Sequence, residues 1–169
     1  MHLESPTRSQ LSLIPSGAAG INETLRVMRA VTREYKKNMR VRERAGSLTK
    51  SCEQKDYACE VKKLHAFVRD SIRYLGDING VETIQTPDKT LEFGYGDCDD
   101  KSVLLASLLE SIGHPTRFVA IGFTPGVFEH VYVETLIGRR WIALETTEPV
   151  EAGWQPDPRA VRARMEMFN

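Results

Sequence analysis

Hydrophobic and polar positions divide the chain into a helical half and a strand half. Ile21, Leu25, Met28, Thr32, Tyr35 and Met39 recur at alternating spacings of four and three, which puts them on one face of a helix that Asn22 can cap. Its other face carries Arg26, Arg29, Arg33, Lys36, Lys37 and Arg40, with Arg42 and Arg44 just beyond. Residues 1–20 read as a loose arm and residues 45–55 as a connection. A second helix is predicted from about Asp56 to Leu75, buried along Tyr57, Val61, Leu64, Val68, Ile72 and Leu75, with His65 a packed or surface residue. Residues 76–95, rich in Gly, Asp, Asn and Pro around a short run Val81–Ile84, read as a long connection. The third helix runs from near Cys98 to Gly113, a natural C′ residue. Val103, Leu104, Leu105, Leu108, Leu109 and Ile112 make it apolar around most of its circumference, so it is the central buried helix.

After Pro115 the period changes to two. Arg117–Phe123, Glu129–Ile137 and Arg140–Glu145 are predicted strands, the last two joined at Gly138-Arg139. Beyond Pro149, Pro156 and Pro158, Arg159–Phe168 is predicted to be a terminal helix. Helices followed by an antiparallel sheet define an α+β domain over residues 21–169, with the central helix packed on the sheet.

The 169 residues are 41% hydrophobic and 27% charged, as in a globular protein. The 23 basic and 23 acidic residues cancel, so no global field selects nucleic acid, membrane or an acidic substrate. The basic helix face lacks the interleaved aromatics of a single-strand binder and reads as solvated. No apolar run approaches the ~20 residues that span a bilayer, and the N-terminus lacks the pattern of a signal peptide. The expectation is a cytoplasmic protein with no nucleic-acid or membrane partner. Its three cysteines, Cys52, Cys59 and Cys98, leave at least one free thiol. Cys52 and Cys59 read as incidental thiols, with a disulfide only where the protein meets oxidant.

The chemistry concentrates at Gly94-Tyr95-Gly96-Asp97-Cys98-Asp99-Asp100. Asp97 is a good N-cap, and Cys98 opens the apolar helix at the positive end of its dipole, which favours a thiolate. The three aspartates oppose that effect, so a histidine partner is needed. His130 sits in a predicted strand and shares a face with Tyr132 and Glu134, while Trp141, Ala143 and Glu145 share a face of the next strand. Glu145 can therefore lie beside His130 and fix its tautomer. Cys98, His130 and Glu145 are the candidate catalytic residues.

From about Leu91 to Pro149 the chain resembles the transglutaminase-like superfamily. The glycine-led Cys98, the run His130-Val131-Tyr132-Val133-Glu134, and Trp141–Thr146 match its three motifs, and Leu108–Arg117 is also similar. The resemblance implies a papain-like core of helices and antiparallel sheet, in a small bacterial or phage member. It implies a cysteine hydrolase, a peptidase or amidase, that attacks an amide bond of a protein or peptide through a Cys98 thioester. Transglutaminase-type transfer to an amine and a non-catalytic module on the same fold are the alternatives. The family's third residue is usually Asp, so Glu145 is a departure, and Glu134 is the substitute if Glu145 does not reach. The Cys98 N–H would donate to the oxyanion, with Tyr95 as second donor and Trp141 as support. Asp97, Asp99 and Asp100 resemble acidic flanks that hold calcium in bacterial relatives, and oxygen ligands suit that ion; otherwise no cofactor is implied. Oligomeric state is not encoded in any motif.

Overall fold

A computed structural model describes residues 17–76 and 83–169. The arm over residues 1–16 and the run at Val81-Glu82 lie outside the described residues. Among the described residues, five helices precede or interrupt six strands: α1 (Gly17–Tyr35), α2 (Met39–Thr49), α3 (Tyr57–Ser71), β1 (Arg73–Tyr74), α4 (Pro87–Phe93), β2 (Tyr95–Gly96), α5 (Cys98–Ser111), β3 (Thr116–Gly122), β4 (His130–Ile137), β5 (Arg140–Leu144) and β6 (Ala163–Phe168).

α5 is the hub. Every residue from Asp100 to Leu109 is buried, because α1, α2, α3 and α4 pack around one side and β4 and β3 lie against the other. The four long strands form an antiparallel sheet in the order β5-β4-β3-β6. Its inner face sets Phe118, Ala120, Val131, Val133 and Leu144 into the main core with Leu104, Leu108, Leu25, Leu64 and Val68. Its outer face carries a smaller cluster of Val119, Ile121, Tyr132 and Ala143 under Val161. The α+β class and the central buried helix are therefore as the sequence predicts.

Five elements differ, one of them the second predicted helix, which stops at Ser71, so that Arg73–Tyr74 is strand β1 and Tyr57 and Leu75 are exposed. The first predicted helix begins at Gly17, inside the expected arm, and is really two helices. Asn38 ends one and starts the next, its side-chain oxygen accepting the N–H groups of Arg40 and Val41 at 2.9 and 3.3 Å. Met39 thus leaves the buried stripe and is 69% exposed. The connection expected at residues 45–55 is helical as far as Thr49, the end of α2. The one expected before Cys98 contains α4, started by Pro87 and closed by Gly94 in the left-handed region at φ 71°. The predicted terminal helix is strand β6, paired with β3 from Arg117–Phe168 to Gly122–Ala163. Its Met165 and Met167 alternate inward against the main core, a period of two that gives β3 its second neighbour.

Cys52 and Cys59 form a disulfide with Cα atoms 5.7 Å apart, stapling the turn ahead of α3. They are not incidental thiols, and Cys98 is the free cysteine.

Candidate functional site

The approach to Cys98 is built from backbone. β2 pairs in parallel with β1, Tyr95 opposite Arg73 and Gly96 opposite Tyr74. Asp97 then caps α5 by a reciprocal box: its Oδ1 accepts the Asp100 N–H at 3.0 Å, and Asp100 Oδ2 accepts the Asp97 N–H at 3.2 Å. Asp100 Oδ1 also accepts the Gln85 N–H at 2.7 Å, tying the preceding loop to the helix start. Gly96 is required here, since a Cβ would lie 2.6 Å from the Asp100 Cβ. The result is a thiol held at a fixed helix end. Cys98 Sγ lies 3.6 Å from Asp99 Oδ1 and within hydrogen-bonding reach of the backbone of Val131, the residue after His130. Burial pushes the thiol up strongly, and the charges of Asp99 and Asp97 push the same way.

His130 is the first residue of β4, and its register with Ile121 on β3 fixes its position. Its Nε2 is 2.5 Å from Glu145 Oε2. The Glu145 side chain is 3% exposed and that of His130 21%. Glu145 Oε1 accepts both the N–H and the hydroxyl of Thr147, at 2.7 and 2.8 Å. Burial alone would raise this carboxyl, but the bonds from His130 and Thr147 outweigh it and hold it below the usual carboxylate range. An ionised Glu145 can only accept, so Nε2 carries the proton and Nδ1 is the nitrogen left for proton exchange. Glu145 lies one residue past the last pair of the β4–β5 ladder, Val133 with Leu144, and meets His130 from there.

Two further buried residues tie α3 to this region. His65 on α3, 1% exposed, lies with Nε2 at 2.5 Å from the Glu145 carbonyl oxygen; burial lowers its pKa and keeps it neutral. It falls on the α3 stripe, four after Val61 and three before Val68, and that placement was the available signal. Lys101, three residues after Cys98, is 2% exposed. Its ammonium donates to the carbonyls of Ile72 at 2.6 Å and Arg69 at 3.4 Å, capping the C-terminal end of α3. Burial pulls its pKa down to about 8. Ser102 Oγ donates to the Val131 carbonyl at 3.3 Å, fastening α5 to β4 beside His130.

Other predicted residues do other work. Glu134 is occupied by Arg117, at 2.5 and 2.8 Å, and by Arg164 at 3.1 Å, so it does not replace Glu145. Trp141 packs over that network, with the Arg117 guanidinium 4.5 Å from its ring and Phe168 at 5.6 Å, and does not support the cysteine. Tyr95 stacks on Phe93 at 5.6 Å and contributes its backbone to β2. Asp97 and Asp100 spend carboxylate oxygens on the helix cap. Among the described residues no group of three His, Cys, Asp or Glu could hold a metal ion, so the aspartates of the Cys98 run do not fit a calcium site by themselves.

A core helix opened by a free cysteine and packed on an antiparallel sheet that carries a His–carboxylate pair is the architecture of a transglutaminase-like core. The family model of the transglutaminase-like superfamily matches residues 42–146, well over half of the chain, and the chain belongs to that superfamily. No curated protein matches it. Among solved structures it is similar to a proposed protease of Parabacteroides distasonis, with TM-score 0.61 and 14% identity over 83% of this chain and 32% of that one. A proposed cysteine protease of Cytophaga hutchinsonii gives TM-score 0.55 and 17% identity over 80% and 48% of the two chains. Calcium-bound LapG of Legionella pneumophila gives 0.51 and 19% over 73% of each. At these identities the likeness is one of fold. The chain spans about a third and about half the length of the first two. Among the described residues no helix is long and apolar enough to cross a membrane.

Proposed function

We propose that the chain is a cysteine hydrolase, a peptidase or amidase, whose nucleophile is Cys98, whose base is His130 and whose orienting carboxylate is Glu145. The observation that carries this reading is the 2.5 Å bond between His130 and a buried, ionised Glu145, one residue from the backbone that the Cys98 thiol meets. His130 Nδ1 takes the thiol proton as Sγ attacks the amide carbonyl carbon. The tetrahedral oxyanion is met by the Cys98 N–H, one of the helix N–H groups without an intrahelical partner. Collapse breaks the C–N bond, and the imidazolium returns its proton to the departing amine, leaving a thioester on Cys98. Water, deprotonated by His130, then releases the carboxylic acid and restores the thiol.

The test is incubation with a mixed peptide pool in the presence of a labelled primary amine, followed by mass spectrometry of intact protein and peptides. New peptide termini, and an acyl adduct on Cys98 that disappears in Cys98→Ser, support hydrolysis. Label incorporated at peptide carboxamides assigns transglutaminase-type transfer to the same site. No adduct and no cleavage with the folded protein would overturn the catalytic reading in favour of a non-catalytic module.

A further inference from the structure

We infer that His65 is a positioning residue of this site: it holds the main chain of Glu145 so that the carboxylate meets His130. The inference rests on the Cys98–His130–Glu145 reading and extends it to α3, an element none of the three residues belongs to.

β5 ends at Leu144, whose partner is Val133, so Glu145 is the first residue past the ladder. Its direction is therefore not set by strand pairing. Two clamps set it instead. Thr147 and His130 grip the carboxylate, and His65 Nε2 donates to the carbonyl oxygen of the same residue at 2.5 Å. One helical turn along α3, Arg69 donates to the Val150 carbonyl at 2.8 Å. Residues 65 and 69 thus hold the two ends of the segment that carries Glu145. α3 is itself fixed to the nucleophile's helix, because Lys101 of α5 caps the carbonyls of Arg69 and Ile72. The helix acts as a brace between the Cys98 element and the Glu145 segment.

A purely packing role does not account for the residue. His65 is 1% exposed among Val61, Leu64 and Val68. A buried imidazole is tolerated there only because its N–H is used, and an apolar side chain of similar volume would fill the space without that requirement. The ring remains neutral in this setting, so the bond is an ordinary N–H donation and adds no charge next to the pair.

The experiment is an NMR titration of the His130 ring in wild type, Glu145→Gln, His65→Leu, His65→Asn and His65→Gln, each checked for a cooperative melt. Glu145→Gln sets the scale, since it removes the carboxylate charge beside the ring. His65→Leu and His65→Asn, whose amide falls short of the carbonyl, should each move the titration in the same direction by roughly half as much. His65→Gln, whose amide nitrogen reaches as far as Nε2, should restore the wild-type value. On any peptide turned over, kcat should fall about tenfold in the Leu and Asn variants with KM little changed. A folded His65→Leu or His65→Asn protein with a wild-type His130 titration overturns the inference and leaves His65 a packing residue. An unmoved His130 in Glu145→Gln as well overturns the underlying catalytic pair, a separate and recognisable result.

Discussion

Replacing Glu145 by glutamine changes one atom and should disable the site. Glu145 Oε1 takes two donors, the Thr147 N–H and hydroxyl. The new amide must keep its oxygen there, because its NH2 would face an N–H at 2.7 Å. Its nitrogen therefore faces His130 Nε2, which already carries a proton. Either the ring shifts that proton to Nδ1, where it can no longer accept from Cys98, or the bond breaks and the ring loses its orientation. Loss of a charge-assisted hydrogen bond between groups this buried is worth about 1.5 to 3 kcal/mol, and the wrong tautomer adds to it. A total of about 3 to 5 kcal/mol corresponds to a rate lower by roughly a hundredfold to a few thousandfold. The rate of Cys98 alkylation by iodoacetamide at neutral pH reads this before any substrate is known, and kcat reads it afterwards. The variant should fall to the level of His130→Ala while melting within a few degrees of wild type. Glu145→Asp keeps the charge but withdraws it by about one C–C bond, ~1.5 Å, and should lose nearer tenfold. A folded Glu145→Gln protein within threefold of wild type would refute the assignment.

Three further outcomes follow from the geometry. Lys101 has a folded pKa of about 8 against an ordinary value of 10.5; the unfolded chain then binds the proton more tightly, so its share of stability is flat below pH 8 and rises with pH from there to about 10.5. Urea unfolding of wild type and Lys101→Met should therefore show wild type gaining about 2 kcal/mol relative to the variant between pH 7.5 and 9.5, and no gain would show that Lys101 is not held in a desolvated site. Removing the Cys52–Cys59 staple by Cys52→Ser with Cys59→Ser should lower stability by about 2 kcal/mol and Tm by roughly 5 °C; an unchanged Tm without reductant would mean the bond does not form in solution. Millimolar calcium should move Tm by less than about 2 °C, since Asp97 and Asp100 serve the α5 cap, and a larger rise would restore a metal site at those aspartates.

What the sequence disclosed and what it hid divide along local and non-local lines. The capped apolar helix start at Cys98 and the meeting of His130 with Glu145 were legible because each is marked by local pattern: an N-cap before an apolar run, and two consecutive strands that bring their ends together. The break at Asn38 was hidden because Tyr35 and Met39 continue the spacing of the preceding stripe across it. The terminal segment is a strand, not a helix, because the open edge of β3 pairs with it, a non-local partner. The contacts of Lys101 and His65 were invisible because their partners are backbone carbonyls 29 and 80 residues away. A carbonyl carries no side-chain signature. Glu134, by contrast, has the right type and spacing to replace Glu145, and only the positions of Arg117 and Arg164 show that it is already taken.

The acid-flanked cysteine shows why a helix N-terminus alone is not an activating device here. A helix dipole contributes roughly 0.3 to 1 kcal/mol to a charge at its end. Against it stand the burial of Cys98 and the charges of Asp99 and Asp97, which together drive the thiol well above its ordinary range. The same aspartates are needed where they are, because Asp97 and Asp100 build the cap that holds the helix start and the Gln85 loop in register. Structural order at the nucleophile is thus obtained from groups that disfavour its anion. In the proposed reading, proton removal from that thiol falls to His130, oriented by a buried charge. Glu145 is ionised, buried and bonded to His130, and it supplies that charge. The larger the opposition at Cys98, the more of the reactivity must depend on Glu145, which is why one atom changed there should be felt so strongly.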